Sequence, residues 1–289
     1  MRKRFRELLV LAGSILVLAG AGTFFSTADA ARYVPAFSVV KKDKGPVFRE
    51  GCLLYGSSVV SGECVYGRAD SEKTVVVFGD SHSLQWTPAL INIANERNWR
   101  LVALLRGNCT AALVNIDRIC NTWRRNSLNR IREEKPGLVF VASNTQPNVY
   151  VKRNGRRLGR AASEPILRQG MYDTLLALRK TGAEVTLMRD LPMSKDFLPS
   201  DCVKKNRNRP GACTFKARRP LSEAYDYAAA KRLKRVQVID PLPKVCPGNR
   251  CRAVHGNILK FRDRGHISAT YSRALTGWLD LRLQDPWQG

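Results

Sequence analysis

Three side chains in this sequence have the types and the order needed for covalent chemistry: Ser81, Asp263 and His266. Ser81 stands in Gly79-Asp80-Ser81-His82, three positions after the end of an apolar run, Val75 to Phe78. A serine hydroxyl is a weak nucleophile until a base removes its proton. The chain has three histidines, His82, His255 and His266. His266 lies in Asp263-Arg264-Gly265-His266-Ile267-Ser268. An Asp three residues ahead of a His, across a turn with Gly, can fold back onto one ring nitrogen and leave the other to take the serine proton. Each residue also has a plain reading: a turn serine capping a helix, a polar residue at a helix start, a turn former. The three together, in this order, favour acyl transfer through a serine ester.

That chemistry needs elements to position it. Val75 to Phe78 suits a strand buried on both faces. Gly79 ends it, and a helix over Leu84–Asn98 follows with Pro88 early in it. The turn would lift the Ser81 hydroxyl above the carboxyl end of the sheet, where helix N–H groups could stabilise an oxyanion. Further strands are predicted at Trp99–Leu105, Leu138–Ala142, Glu184–Met188 and Arg235–Ile239. Helices are predicted over Cys120–Glu134, Ser163–Thr181, Leu221–Arg232 and from a Ser268 cap to about Gln284. In the second of these Ser163 reads as the cap and Pro165 as a first-turn residue. Five strands alternating with helices predict an α/β fold with a mostly parallel sheet covered on both faces, its ligands bound at the carboxyl edge. Gly51 to Asp70 reads as an irregular lead-in and Leu191 to Arg219 as a long polar insertion. Asp80 is expected to be structural, His82 to support the nucleophile, His255 to lie on the surface and Trp86 to pack under the helix.

The chain has 289 residues, enough for one substantial core, and 49 Lys+Arg against 24 Asp+Glu give it a net charge of +25. Such a field favours anionic partners. The N-terminus argues against nucleic acid. Arg2, Lys3, Arg4 and Arg6 precede an uncharged apolar stretch, Leu8 to Phe25, and Ala28-Asp29-Ala30 follows. This is a secretory signal with a cut after Ala30, or an uncleaved membrane anchor, since 18 apolar residues suffice for a tilted span. In either case the body is exported, to the periplasm or cell surface. Anionic wall polymer, acidic glycan or lipid headgroups are then the expected partners, against the blander reading of a generally solvated basic surface. The eight cysteines agree with export. Their spacing favours pairing of neighbours, Cys52–Cys64, Cys109–Cys120, Cys202–Cys213 and Cys246–Cys251, each loop worth roughly 2–3 kcal/mol. Zinc is disfavoured, because no CxxC pair occurs and no His has ligand spacing from two cysteines.

The Gly79-Asp80-Ser81-His82 turn near the start of the globular part and Asp263-x-x-His266 near its end resemble the SGNH (GDSL-type) hydrolase superfamily. More narrowly, the turn followed by Gln85-Trp86-Thr87-Pro88-Ala89-Leu90, the several cysteines and the run from Asp263 to Ser268 are similar to the SGNH domains fused to, or encoded beside, membrane acyltransferase-3 proteins. The similarity spans about residues 50 to 285. It implies a flavodoxin-like three-layer α/β/α sandwich with a five-stranded sheet, in a domain over 51–289 after a linker at 31–50. It implies an oxyanion hole made by the Ser81 N–H, a Gly N–H after the second strand and an Asn amide after the third. Gly107 and Asn144 occupy those places, although each also reads as an ordinary turn residue, and Ala-Ser-Asn-Thr replaces the family's Gly-x-Asn-Asp. The implied activity is O-acetylation of a cell-surface or cell-wall glycan by a monomeric enzyme without metal or organic cofactor. A separate acyltransferase-3 partner would supply the acetyl group. A carbohydrate esterase or deacetylase of the same fold, and a non-catalytic glycan-binding protein, are the alternatives.

Overall fold

The computed structural model describes residues 33–216 and 223–288. The expected signal or anchor at 1–30 and the expected helix start at Leu221 lie outside the described residues. In chain order the first strands are β1 (Leu53–Leu54), β2 (Val65–Gly67), β3 (Thr74–Gly79), β4 (Arg100–Arg106) and β5 (Leu138–Ala142). A short hairpin, β6 (Lys152–Arg153) with β7 (Arg156–Arg157), precedes β8 (Glu184–Met188), β9 (Thr214–Lys216), β10 (Val236–Ile239) and β11 (Arg250–Arg252). The helices are α1 (Pro46–Arg49), α2 (Ser81–Leu84), α3 (Thr87–Glu96), α4 (Arg118–Glu134) and α5 (Arg160–Arg179). They continue with α6 (Pro199–Lys205), α7 (Tyr225–Ala230), α8 (Leu242–Val245), α9 (Ala269–Ala274) and α10 (Thr276–Asp280).

Every residue of β3 and β5 is buried, as a strand covered on both faces requires. Alternation along β3 divides the core in two. Val75 and Val77 pack with Leu84, Leu90, Ile93, Tyr271 and Leu279, so α3, α9 and α10 cover one face. Val76 and Phe78 pack with Trp123, Ile131, Met171, Leu175 and Ala229, so α4, α5 and α7 cover the other. Each such side chain, fully buried, contributes about 1.5–3 kcal/mol. The sheet order is β1-β4-β3-β5-β8-β10, all parallel. The chain runs outward from β3 to β4, then crosses to β5 on the other side of β3. The crevice outside the carboxyl ends of β3 and β5 is therefore the switch point where such folds take ligands.

Several expectations need correction. The sheet has seven strands rather than five, because β1 and β2 both pair with β4, β2 antiparallel to it. Runs of two and three residues are too short to show a period, and the Cys52–Cys64 bridge holds them where a longer strand would hold itself. The stretch expected as a linker is packed against the domain from Tyr33 onward. Val40 and Val47 are buried, Val34 bridges Ile258, and Asp43 accepts the N–H groups of Ala269 and Thr270. Its basic composition hides those two valines. Ser163 does not cap α5, which begins at Arg160; it is buried and accepts the Val151 N–H, while Pro165 lies inside the helix. The insertion after β8 is ordered by α6, by β9 pairing with β11, and by Phe215 against Phe197 and Phe261. The structure pairs the cysteines as neighbours: Cys52–Cys64, Cys109–Cys120, Cys202–Cys213 and Cys246–Cys251. No helix of the described residues is long and apolar enough to cross a membrane.

Candidate active site

The turn after β3 is set by close approach. A Cβ on Gly79 (φ 143°) would lie 2.1 Å from the Ala142 carbonyl oxygen, so only glycine lets β3 and β5 end side by side here. Ser83 Oγ lies between the same two ends, within 2.9 Å of the Phe78 carbonyl oxygen and 2.8 Å of the Ala142 carbonyl oxygen. Asp80 caps α2 by accepting the His82 N–H at 2.8 Å. Its other oxygen accepts the Ser143 hydroxyl at 3.1 Å and the Asn144 N–H at 2.9 Å, tying the β3 turn to the β5 turn. Burial pushes the Asp80 carboxyl above its ordinary range, against His82 and these hydrogen bonds.

Ser81 is thereby the first residue of α2, and His266 reaches it from the far end of the chain, with Nε2 2.9 Å from Ser81 Oγ. The His266 loop is held from both sides. Ile267 donates its N–H to Gln85 on the α2 side at 2.9 Å, and Arg262 donates to the His266 and Ile267 carbonyls. Asp263 lies 2.9 Å from His266 Nδ1 and accepts the N–H groups of Gly265 and His266. Burial would raise the Asp263 carboxyl, but the hydrogen bond and charge of His266, and Arg262 beside it, hold it well below the usual range. Burial and the charge of His82 lower His266 to about 4, against the pull of Asp263.

The residues expected to hold an oxyanion are placed differently from one another. No hydrogen bond engages the Ser81 N–H among the described residues. Asn144 is oriented by three contacts: its N–H on Asp80, its carbonyl under the Tyr225 hydroxyl and its side-chain oxygen on the Gln146 N–H. The amide nitrogen therefore turns outward, with a long 3.4 Å contact to Asn148. Gly107 does not serve. Its N–H donates to the Leu54 carbonyl at 3.0 Å, and a Cβ there would lie 2.2 Å from the Tyr55 ring. That ring is half exposed and can move aside, so it is the engaged N–H that rules Gly107 out, and Asn108, left-handed at φ 59°, is the residue that reaches the cleft.

Ser81, His82, Asn108, Asn144, Asp263 and His266 line one cleft of about 400 Å³. A second, of about 330 Å³, shares Asn108, Asn144 and Asn148 with it and adds Thr110, Asp117 and Tyr150. Asp190 is a site residue that the sequence reading missed. Following β8, it lies 2.6 Å from His82 Nδ1, with both side chains buried. The available signal was an Arg189-Asp190 pair directly after an apolar strand, at the sheet edge where ligands bind. Of the other residues weighed, Trp86 is buried and His255 is exposed.

The profile of the family described as "SGNH domain (fused to AT3 domains)" matches residues 50–279. The chain belongs to this family. No curated protein matches the sequence of this SGNH domain. Among solved structures it is similar to the periplasmic domain of a lipopolysaccharide acetyltransferase from Salmonella ser. Paratyphi A. That match has 15% identity and a TM-score of 0.60, over 87% of this chain and 95% of that one. A GDSL-like lipase from Bacteroides thetaiotaomicron matches at 13% identity and a TM-score of 0.42, over 85% of this chain and 98% of that one. At such identities the likeness to the acetyltransferase domain is one of fold alone.

Proposed function

We propose that this SGNH domain is an exported serine acyl-transfer enzyme that moves an acetyl group onto a cell-surface or cell-wall glycan. The observation that carries this reading is the Ser81–His266–Asp263 arrangement, with 2.9 Å contacts on both ring nitrogens of the histidine. His266 Nε2 takes the Ser81 proton as Oγ attacks the carbonyl carbon of an acyl ester. The oxyanion is stabilised by the Ser81 N–H, the Asn144 amide and the N–H of Asn108, which takes the place expected for Gly107. Collapse expels the donor alkoxide, which recovers the proton from His266, and leaves the acyl group on Ser81. An acceptor hydroxyl then gives its proton to His266, attacks the Ser81 ester and leaves acylated, while the proton returns to Ser81.

A hydrolase would use the same residues with water as acceptor. The second cleft favours transfer. Its amides, hydroxyls, two carboxylates and one aromatic ring suit a sugar, and it adjoins the cleft of Ser81. Membership of a family whose SGNH domains are fused to AT3 domains supports an acyltransferase-3 membrane partner as donor. Four disulfides, and the likeness to a periplasmic domain, support an extracytoplasmic location.

Labelling with a fluorophosphonate tests the chemistry, and an adduct on Ser81 is expected. Absence of any adduct in the folded protein would leave only glycan binding. Incubation with an acetyl-ester donor, with and without a glycan acceptor, separates the activities. Acetylated glycan formed at the expense of free acetate supports transfer. Acetate release that ignores the acceptor supports the esterase.

A further inference from the structure

His82 is one residue from the nucleophile, yet the proposed steps do not use it. Its side chain is 4% exposed, and its ring centroid is 4.5 Å from that of His266. Its Nδ1 meets Asp190 Oδ1 at 2.6 Å. Asp190 accepts further hydrogen bonds from the N–H and hydroxyl of Thr145, the Gln146 amide and the Leu191 N–H. A carboxylate with that many donors stays ionised, and an ionised carboxylate so close to an imidazole favours its protonated form unless other cations oppose it. Two imidazoles in contact cannot both be cations without strong repulsion.

We propose that His82, clamped by Asp190, is a positioning residue whose fixed positive charge keeps His266 free of a proton and ready to act as base. This rests on the reading of His266 as the base for Ser81. The charges bearing on the two rings come from several elements. Asp263, Arg262 and Arg264 lie on the His266 loop, Asp80 precedes α2, and Asp190 follows β8. Behind Asp190 stand Arg189 and the buried Asp226 of α7. The balance of these holds His82 up at about 9, with Asp190 the largest upward influence against burial. Arg262 adds to the repulsion on His266, so His82 acts with it rather than alone.

The test is an NMR titration of the imidazoles in the full chain, three of them in all, assigned by single substitution. In the unaltered protein His82 is expected to stay protonated through neutral pH, while His266 takes up its proton only in acid. His82→Asn keeps an amide donor toward Asp190 and removes the charge; Asp190→Asn removes the carboxylate. Each is expected to move the His266 midpoint up by about one unit or more. The acid limb of Ser81 labelling by fluorophosphonate is expected to move with it. A His266 midpoint unmoved in either variant, checked as folded by its amide spectrum, overturns the proposal. So does a His82 that loses its proton below pH 6. The titration reads the rings directly. It therefore decides this inference even where the labelling fails and the acyl-transfer reading falls with it.

Discussion

The molecule holds two imidazole–carboxylate pairs side by side, and they are built by different means. Asp263 and His266 are three positions apart on one loop, partly open to solvent, and the loop backbone makes their contact. His82 and Asp190 are 108 positions apart, both side chains are buried, and the contact exists only because β3 and β8 are brought to one sheet edge. In the first pair the histidine is pushed down and in the second it is pushed up. Burial lowers both rings, so the neighbouring charges and the hydrogen bond to Asp190 are what send the same two side-chain types in opposite directions.

The largest effect that could break this comparison is at Ser81 and its local pair. Ser81→Ala is expected to abolish fluorophosphonate labelling and to lower acyl transfer about 10⁴-fold or more. His266→Ala is expected to lower it about 10²–10⁴-fold. Steady-state transfer from an acetyl ester measures both. If His82→Asn were the more damaging and His266→Ala nearly silent, the roles assigned to the two pairs would be reversed.

Next in size are the oxyanion donors. Asn144→Ala is expected to reduce kcat about 10²–10³-fold with little change in KM, read from the same assay. Asn108→Gly, which tolerates the left-handed backbone, is expected to stay within a few fold of the unaltered enzyme. Asn108→Val, which does not tolerate it, is expected to lose activity. Gly107→Ala is expected to leave activity and melting temperature nearly unchanged, since only the half-exposed Tyr55 ring has to move.

These differences also show how much could be read from the chain. The Asp263–His266 pair was legible because its partners are local and a glycine turn joins them. The five long strands were legible because each is dense in apolar and β-branched residues, unbroken in Leu138–Ala142 and interrupted only by Thr186 in β8 and Gln237 in β10. Asp190 was not, since nothing in Arg189-Asp190 says which helix start it will face until the sheet order is known. Gly107 was misassigned because a glycine after a strand reads the same whether its N–H faces a ligand or an edge strand. Here β1, two residues long, accepts that N–H through Leu54, and an element so short leaves no pattern. The packed stretch after Tyr33 was hidden in the same way, by two buried valines in a basic run.

The smallest effect is on stability, and it sharpens the comparison most. His266 has a folded value of about 4, below its unfolded value, so between these pH values the unfolded chain binds more protons than the folded one. The stability it contributes is present above the unfolded value and is lost as pH falls through about 4. His82 has a folded value of about 9, above its unfolded value, so its contribution is complete in mild acid and is lost as pH rises through about 9. Each contribution, integrated over its pH window, is on the order of 1–3 kcal/mol. Urea melts from pH 4 to 9.5 on the Ser81→Ala background, where no acyl-enzyme can form, are expected to separate them. His266→Asn should flatten the acid side of the stability curve, and His82→Asn should flatten the alkaline side while also shrinking the acid side in part, because His266 then titrates closer to its unfolded value. If His266→Asn flattened the alkaline side instead, or His82→Asn left the alkaline side unchanged, the charge on that ring would be opposite to the one its surroundings impose.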